Sequence, residues 1–510
     1  MFFEFCEILP PEYRSIVLFL IGVMLGVLAN WLADHWGLRR RYRSPWSGLP
    51  EPLTEVISRK ARDYIPILGW IFMRRFGRVL FTSTSRTRRP AKVAAGHTLS
   101  KLTFLQKQTI AEKLGIHSST FWIRPMFVEL FCGLFLAWFY SWMVVDNETF
   151  LESIRVKFHG IALQVPELGF RELLISFGVT IGFCFIMLCA ALTDLDDHII
   201  PDQVNVPGTL FGLIAMTSFP FMVFAPLFWY IPQGPHDSFA TTDLATFFET
   251  YFGSMGGWQH TSLVIMICCW AFWCFALLDR CWNMKFGFRI GFYLFLRRLL
   301  RSPMTLLSLL LFLAGSGLII WLYFGNPNPE TTVCQMNPEY DYYSDEPLPV
   351  GFVSPRNALF NALIGMAFGM LLIWTVRIIG YIMIRRESMG FGDVMLMGFI
   401  GAWIGWHGAL VTFFIAPFAG LFFTFFYGVF ATLTTDAPDD DYEPHAEIPY
   451  GPFLCLAAVF YLIARCRFWD LFAPVFLDPL LICGLFLFCM LMLMILLGII
   501  EGLKSFLRHE

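Results

Sequence analysis

Long apolar runs, separated by shorter polar segments, follow one another along almost the whole of this chain. A helix crosses the hydrocarbon core of a bilayer with about 20 predominantly apolar residues. The pattern therefore predicts an all-α polytopic membrane protein of about eleven transmembrane helices. They are expected near 14–34, 126–145, 172–193, 206–230, 261–279, 303–324, 357–384, 394–408, 409–432, 449–466 and 475–500.

The pattern is least regular after residue 393. The apolar run 394–408 is short for a span, and it is hardly separated from the run 409–432. Two structures are compatible with this pattern: a tight hairpin of two helices and a single broken helix.

Composition excludes other classes of protein. The chain has 510 residues, of which 57% are hydrophobic and 15% are charged. A soluble globular domain has about 25% charged residues and needs fewer apolar residues for its core. Membrane lipids are therefore expected to surround this chain, and no nucleic-acid partner is expected.

The distribution of charge predicts the orientation in the membrane. Segment 38–124 carries eighteen of the 36 Lys and Arg residues and only four acids. Basic segments beside spans stay in the cytoplasm, so this segment is expected to be a basic cytoplasmic loop. Segment 325–356 carries five acids and no basic residue before Arg356, as suits an external loop. Counting spans from the basic loop places the N-terminus outside and the C-terminus inside.

The chain divides by these features into six predicted regions. They are a first transmembrane anchor (1–37), the basic cytoplasmic loop (38–124), helices with a first acidic motif (125–232), a helix pair with external loops (233–356), helices with a second acidic motif (357–466), and a C-terminal helix and tail (467–510).

Two polar stretches at the cytoplasmic ends of predicted spans carry the candidate chemistry. The first is ALTDLDDHIIPDQVNVPG, 191–208, where Asp194 is the first acid after a long apolar run. The second is GFGD, where Gly390 and Gly392 lead to Asp393 and directly into the next span. Both acids are therefore expected at the same depth in the membrane.

Two carboxylates at one depth can hydrolyse a peptide bond if they share one proton. One carboxylate draws a proton from water, and the protonated partner donates to the carbonyl oxygen. Glycines at 390 and 392 lack a Cβ, so a substrate backbone has room beside Asp393. Spacing alone leaves other interpretations open: a helix cap at Asp393, a solvated turn after Asp194, or an ion or proton pathway.

Taken together, the motifs resemble those of one family. TDLDDHIIPD followed by GFGD is similar to the paired motifs of the type IV prepilin peptidases, which are GxGD-type membrane aspartic proteases. IPYGPFLCLAA, 448–458, resembles the PFGPFL segment of that family. Near the N-terminus, IGVMLGVLANWLADH, YIPILGWIFMRR and IRPMFVELFCGLFLA also resemble family segments. The likeness covers most of the chain, except for an inserted helix pair near 261–324 and a span after 470.

The resemblance implies a function and a set of site residues. Asp194 and Asp393 correspond to the catalytic acids, and Gly390, Gly392, Pro201 and Asp202 are expected to contact the substrate. The implied activity is that of an aspartic endopeptidase that removes the leader of prepilin or pseudopilin-like proteins. The implied location is the cytoplasmic face of the bacterial inner membrane. The alternative is a catalytically silent or ion- or proton-transporting protein on the same scaffold.

The main departure from the family concerns cofactors. Many members carry two CxxC pairs in the cytoplasmic loop, which suit a tetrahedral zinc ion, whereas 38–124 contains no cysteine. Zinc is therefore not expected there, and proteolysis is expected to need no cofactor. The family's second activity, N-methylation from S-adenosylmethionine, is associated with this region and is slightly disfavoured for this chain.

The helix ends also predict which acid carries the shared proton. Asp393 begins a span, where free N–H groups and the helix dipole favour a negative charge. Asp194 follows a span, near carbonyl groups that disfavour one. The sequence therefore predicts that Asp393 is ionised and that Asp194 tends to hold the proton.

Overall fold

The structure is a computed structural model. It describes residues 10–37, 61–72, 74, 122–145, 157–158, 161–164, 170–219, 229–233, 238–242, 260–278, 289–290, 293–294, 297, 302–325, 348–349, 355–384, 389–434, 449–477, 481, 484–488 and 491. Most of the basic loop 38–124 lies outside these residues.

Helices make up nearly all of the described residues. They are α1 (Pro11–Trp36), α2 (Ile123–Tyr140), α3 (Phe170–Asp197), α4 (Asp202–Ser218), α5 (Thr261–Ala276), α6 (Pro303–Gly325), α7 (Pro355–Ile384), α8 (Phe391–Thr434) and α9 (Gly451–Leu477). A π-helical turn, Ser141–Val145, extends α2, and a 3-10 turn covers Ala61–Tyr64. The short strands are β1 (Lys157–Phe158), β2 (Ile161–Gln164), β3 (Trp229–Gln233), β4 (Ser238–Thr242) and β5 (Leu348–Pro349).

Six of the described helices are long and apolar enough to cross a membrane. They are Tyr13–Trp36, Ile123–Val145, Leu174–Asp197, Pro303–Gly325, Pro355–Ile382 and Phe391–Phe423, and Thr261–Ala276 and Gly451–Ala464 are shorter apolar helices. The chain is an all-α polytopic membrane protein, which confirms the predicted class. The predicted number of spans, about eleven, includes segments outside the described residues and stays a prediction.

The predicted span 206–230 is wrong in extent. Helix α4 ends at Ser218, and Trp229–Gln233 is the strand β3. The apolar run hides this end, because its composition stays apolar past Ser218. The residue before a proline is biased away from the helical conformation, and Phe219 precedes Pro220. The helix therefore ends at Ser218, whereas the apolar run continues beyond it.

The two predicted runs 394–408 and 409–432 form one broken helix. Helix α8 continues from Phe391 to Thr434, and only Gly405 has a non-helical conformation inside it, with φ 72° and ψ 177°. That region of backbone space is essentially restricted to glycine. The break thus lies at Gly405, a few residues before the predicted boundary. Helix α9 likewise extends past the predicted end at 466, to Leu477.

The chain folds into two compact units. The first contains residues 1–152, 168–204 and 443–455, and the second contains 153–167, 205–442 and 456–510. In the first unit, α1 approaches α2 closely through Gly22 and Gly26. A Cβ at Gly22 would overlap the carbonyl oxygen of Cys132, and one at Gly26 would overlap the Cα of Glu129. Small residues allow such backbone contact between helices in a membrane.

In the second unit, α7 and α8 also cross at glycines. A Cβ at Gly365 would overlap the carbonyl oxygen of Gly401, and the reverse holds for Gly401. Residues 393–412 of α8 are all buried, so this helix forms the core of the unit. Helix α4 packs on it through Trp403, whose indole N–H donates to the Gly208 carbonyl oxygen at 3.1 Å.

The inserted helix pair forms a hairpin in the second unit. Gly315 of α6 leaves room for the indole of Trp270 in α5. The Ser308 hydroxyl donates to the Cys274 carbonyl oxygen at 2.7 Å. At the other end, the Arg356 guanidinium of α7 lies 3.7 Å from the ring centre of Tyr323 and donates to the Ser262 hydroxyl. Polar contacts thus attach the inserted pair to α7.

The short strands form two groups. Strand β2 pairs with β1 in antiparallel fashion and with β5 in parallel fashion, and β3 and β4 form a separate antiparallel pair. The orientation in the membrane stays a prediction from the sequence.

Candidate active site

Asp194 lies in the last turn of α3 and is 5% exposed. The helix ends three residues later because His198 has φ 54° and its N–H bonds the Asp194 carbonyl oxygen at 2.9 Å. A left-handed residue after a helix commonly closes its last turn in this way. Ile200 is buried, and both its Cδ1 and the Asp194 carboxylate lie near Gly451.

The two neighbouring acids have different environments. Asp196 is buried and forms an ion pair with Arg124, at the start of α2. Asp197 is only partly buried. The Oδ2 oxygen of Asp194 is buried and has no hydrogen-bond partner within the described residues. Sequence reasoning chose Asp194 by the resemblance, and the ion pair gives Asp196 a separate structural role.

The first residue of α9, Gly451, contacts the Asp194 carboxylate. Its backbone N–H donates to that carboxylate, and a Cβ at this position would overlap both the carboxylate and Ile200. Sequence reasoning missed this residue as part of the site. The only signal was the resemblance of IPYGPFLCLAA to a family segment, which named no contact.

Pro201 and Asp202 form the connection from α3 to α4. Pro201 is partly exposed, and its carbonyl oxygen accepts from the Val204 N–H at 3.0 Å. Asp202 is exposed and is the first residue of α4. An acid in the first turn stabilises a helix through its dipole, so Asp202 has a structural role whether or not it contacts a substrate.

The second acid, Asp393, lies in the first turn of α8 and is 9% exposed. Gly390 directly precedes the helix and is exposed. A Cβ at Gly390 would lie 3.4 Å from Asp393 Oδ2, in contact with the carboxylate. Gly392 is the second residue of α8 and is partly buried. An exposed glycine therefore lies next to the carboxylate of Asp393.

Asp194 belongs to the first unit and Asp393 to the second. Each has its own glycine contact, with Gly451 and Gly390 respectively. That the two carboxylates form a single catalytic pair stays a prediction from the sequence.

Glu129 of α2 is also buried, and it fixes part of the segment YIPILGWIFMRR. Its carboxylate accepts from the Ile67 backbone N–H at 2.6 Å and from the Trp70 indole N–H at 2.8 Å. Ile67 has φ 60°, which is unusual for a β-branched residue. Glu129 thus holds a short part of segment 38–124 against α2.

Metal ligands are a separate question. Within the described residues, no group of three or more His, Cys, Asp or Glu side chains could hold a metal ion. Segment 38–124 supplies no thiolates, so it does not offer the ligand set that a structural zinc site requires.

Comparison with known proteins identifies part of the second unit. The model of the type IV leader peptidase family matches residues 348–425, which include Gly390, Gly392 and Asp393. This segment, the leader peptidase segment, is similar to the type IV leader peptidase family. It comprises β5, α7 and the first part of α8, so Asp393 and its glycines lie inside the leader peptidase segment.

Curated relatives agree with this assignment. A prepilin leader peptidase/N-methyltransferase of Pseudomonas aeruginosa is 31% identical over 112 residues, which are 21% of this chain and 36% of that protein. The protein of the same name from Aeromonas hydrophila is 30% identical over 107 residues, 21% of this chain and 32% of that protein. The chain thus matches about a third of the length of these relatives. No solved structure matches the chain.

Proposed function

We propose that this protein is an aspartic endopeptidase of the membrane that removes the leader from type IV prepilin-like or pseudopilin-like proteins. The proposed site of cleavage is the cytoplasmic face of the bacterial inner membrane. Asp194 and Asp393 are the catalytic acids. Gly390 and Gly392 admit the substrate strand, and Pro201 and Asp202 shape the loop that faces it.

The observation that carries the proposal is Asp393 within the leader peptidase segment. The carboxylate is buried at the start of a membrane helix, and the residue before that helix is a glycine whose Cβ would touch it. A catalytic acid needs a site that excludes bulk water and still admits a peptide backbone. Burial of Asp393 and the exposed Gly390 together meet both needs.

The proposed reaction is hydrolysis of one peptide bond. The ionised acid takes a proton from a water molecule, whose oxygen attacks the scissile carbonyl carbon, while the protonated acid donates to the carbonyl oxygen. Collapse of the tetrahedral intermediate breaks the C–N bond, and the leaving nitrogen receives a proton. The products are a leader with a new carboxylate and a mature protein with a new amino group.

The depth of the acids limits the substrate. Asp393 opens α8 and Asp194 closes α3, and both helices contain membrane spans. A bond cut at this level therefore belongs to a peptide whose polar leader lies in the cytoplasm and whose following segment is apolar. Prepilin-like proteins have this arrangement in the family that the chain resembles.

Co-expression with a candidate prepilin tests the proposal. The wild-type chain should shorten the substrate, whereas Asp194→Asn and Asp393→Asn should leave it at full length with equal amounts of enzyme in the membrane. Asp197→Asn is the matched control and should cleave normally. Normal cleavage by both Asp194→Asn and Asp393→Asn would instead favour a transporting or silent membrane protein.

Methylation is a separate activity, and we propose that it is absent. The relatives are named as N-methyltransferases as well as peptidases, but the segment associated with that activity departs from the family in this chain. Mass analysis of the mature substrate should show a free amino terminus. A methylated product that depends on this chain alone would overturn the proposal.

A further inference from the structure

The structure assigns a role to Gly451, and this inference rests on the proposed function. We propose that Gly451 is a positioning residue for the first catalytic acid. Its backbone N–H orients the Asp194 carboxylate, and its missing Cβ leaves the space that the carboxylate occupies. The N-terminus of α9 is then part of the site around Asp194, together with the end of α3.

The first turn of α9 has one N–H group that can serve Asp194. The first N–H groups of a helix have no partner within the helix itself. Pro452 has no N–H, and the N–H groups of Phe453 and Leu454 both bond the Tyr450 carbonyl oxygen, at 3.1 and 3.2 Å. The remaining N–H belongs to Gly451, and it donates to the Asp194 carboxylate. The Gly-Pro sequence thus directs a single donor to the acid.

Space, and not backbone conformation, is what requires glycine here. Within the described residues, Gly405 is the glycine with a positive φ, so Gly451 adopts a conformation open to any residue. A Cβ on Gly451, however, would overlap Oδ2 of Asp194 and lie 2.9 Å from Cδ1 of Ile200. Any side chain at this position must therefore displace the carboxylate, Ile200 or the start of α9.

The contact leaves the carboxylate suited to its proposed task. The Gly451 N–H fixes the carboxylate, while Oδ2 is buried and has no hydrogen-bond partner within the described residues. A buried polar atom without a partner is unusual in a folded protein. Oδ2 is the atom of Asp194 that can bind the attacking water or the shared proton.

The test measures prepilin cleavage by purified protein in vesicles. Gly451→Ala should lower kcat on the order of 100-fold, because a displacement of about 1 Å in a catalytic group has that effect. The KM should change by less than about twofold, since the interaction acts on the reacting acid and not on substrate binding. The pH dependence of kcat should also shift. Gly178→Ala is the matched control in α3, where an added Cβ meets nothing within 4 Å.

A second variant separates displacement of Asp194 from a collision with Ile200. Ile200→Val removes Cδ1, the atom of Ile200 nearest to the added Cβ. If the carboxylate is what Gly451→Ala displaces, adding Ile200→Val should not restore kcat. Full restoration of kcat in the double variant would overturn the positioning role.

A thermal cycle keeps the inference testable even if Gly451→Ala folds poorly. The melting temperature should fall for Gly451→Ala alone and recover when Asp194→Ala removes the carboxylate, because contacting residues are not additive. If Gly451→Ala lowers the melting temperature equally with and without the Asp194 carboxylate, the two residues are not in contact.

A wild-type kcat in Gly451→Ala would overturn the inference and leave the proposed function intact. If the wild type itself does not cleave, the proposed function fails, and the inference fails with it.

Discussion

Three acids within four residues show how surroundings assign roles to identical side chains. Asp194 contacts the first residue of α9, Asp196 pairs with Arg124, and Asp197 is partly exposed. A carboxylate buried against the start of a helix suits chemistry, as at Asp194, whereas a carboxylate held in an ion pair suits structure, as at Asp196. The role of each acid therefore depends on the helix end that faces it.

Asp196→Asn should reduce stability but spare catalysis. The Arg124 side chain is 46% exposed, so loss of this pair should lower the free energy of unfolding by only about 1 kcal/mol. Cleavage per folded molecule should match the wild type. Melting in detergent and a cleavage assay on the same preparation measure both effects. A loss of cleavage as large as that of Asp194→Asn would assign Asp196 to the chemistry.

Glu129→Gln should detach the segment around Trp70 from α2. The Glu129 carboxylate accepts hydrogen bonds from the Ile67 N–H and the Trp70 indole N–H. Glutamine keeps only one acceptor oxygen, so its NH₂ group must face one of these two donors. A lost hydrogen bond to a buried charged group lowers stability by about 1.5–3 kcal/mol. Thermal melting should show this loss, and Trp70→Phe, which removes only one donor, should show a smaller one. Unchanged melting in Glu129→Gln would exclude the role.

The structure changes the helix-end argument about the shared proton. The sequence placed a helix N-terminus beside Asp393 only, and therefore assigned the negative charge to that acid. The structure also brings the N-terminus of α9 to Asp194, through Gly451. Both acids thus lie at a helix N-terminus, and the predicted order of protonation no longer follows from helix ends alone.

Among the helices, α8 combines burial with a conformational break. Gly405 has φ 72° and ψ 177°, a region that side chains exclude. Gly405→Ala should therefore lower the free energy of unfolding by about 1–3 kcal/mol. The matched control is Gly317→Ala in α6, where the added Cβ meets nothing within 4 Å. Equal melting temperatures for the two variants would show that α8 tolerates a helical residue at the break.

The sequence predicts helices well where an apolar run ends in polar residues. The runs of α1, α3, α6 and α7 are of this kind, and the structure places helices there. The pattern fails for α4, because the apolar run continues beyond the helix end at Ser218. The break in α8 is also predicted a few residues too late in the chain. Gly405 and Gly408 are both glycines in one apolar run, and the sequence does not show that Gly405 is the one with a positive φ.

The sequence predicts single residues of the candidate site but not the contacts between them. The motifs indicate Asp194 and Asp393, since each is an acid at the end of an apolar run. The contact between Asp194 and Gly451 joins segments that are far apart in the sequence, so no local pattern reports it. The same is true of Glu129 and Trp70, which meet only when the segment around Trp70 packs on α2.

In the whole molecule, a segment similar to the type IV leader peptidase family lies within a larger membrane protein. The family match covers residues 348–425. The inserted pair α5 and α6 packs against α7 of that segment through Ser262, Tyr323 and Arg356. The insertion adds an even number of helices, so the predicted sides of Asp194 and Asp393 remain matched.

The whole protein should cleave without a metal ion. Purified protein treated with a chelator should retain its wild-type kcat/KM, because segment 38–124 lacks the thiolates that a zinc site needs. The assay compares treated and untreated protein from one preparation, with magnesium or zinc added back. Loss of cleavage that zinc restores and magnesium does not would reveal a metal site.

Asp194 and Asp393 are proposed to act as one catalytic pair. The most direct test measures kcat/KM for a prepilin-like substrate in vesicles containing the wild type, Asp194→Asn, Asp393→Asn or the double variant. Groups that act as a unit are strongly non-additive, so each single variant should lose as much activity as the double variant. A single variant that still cleaves, or losses that multiply in the double variant, would contradict the account.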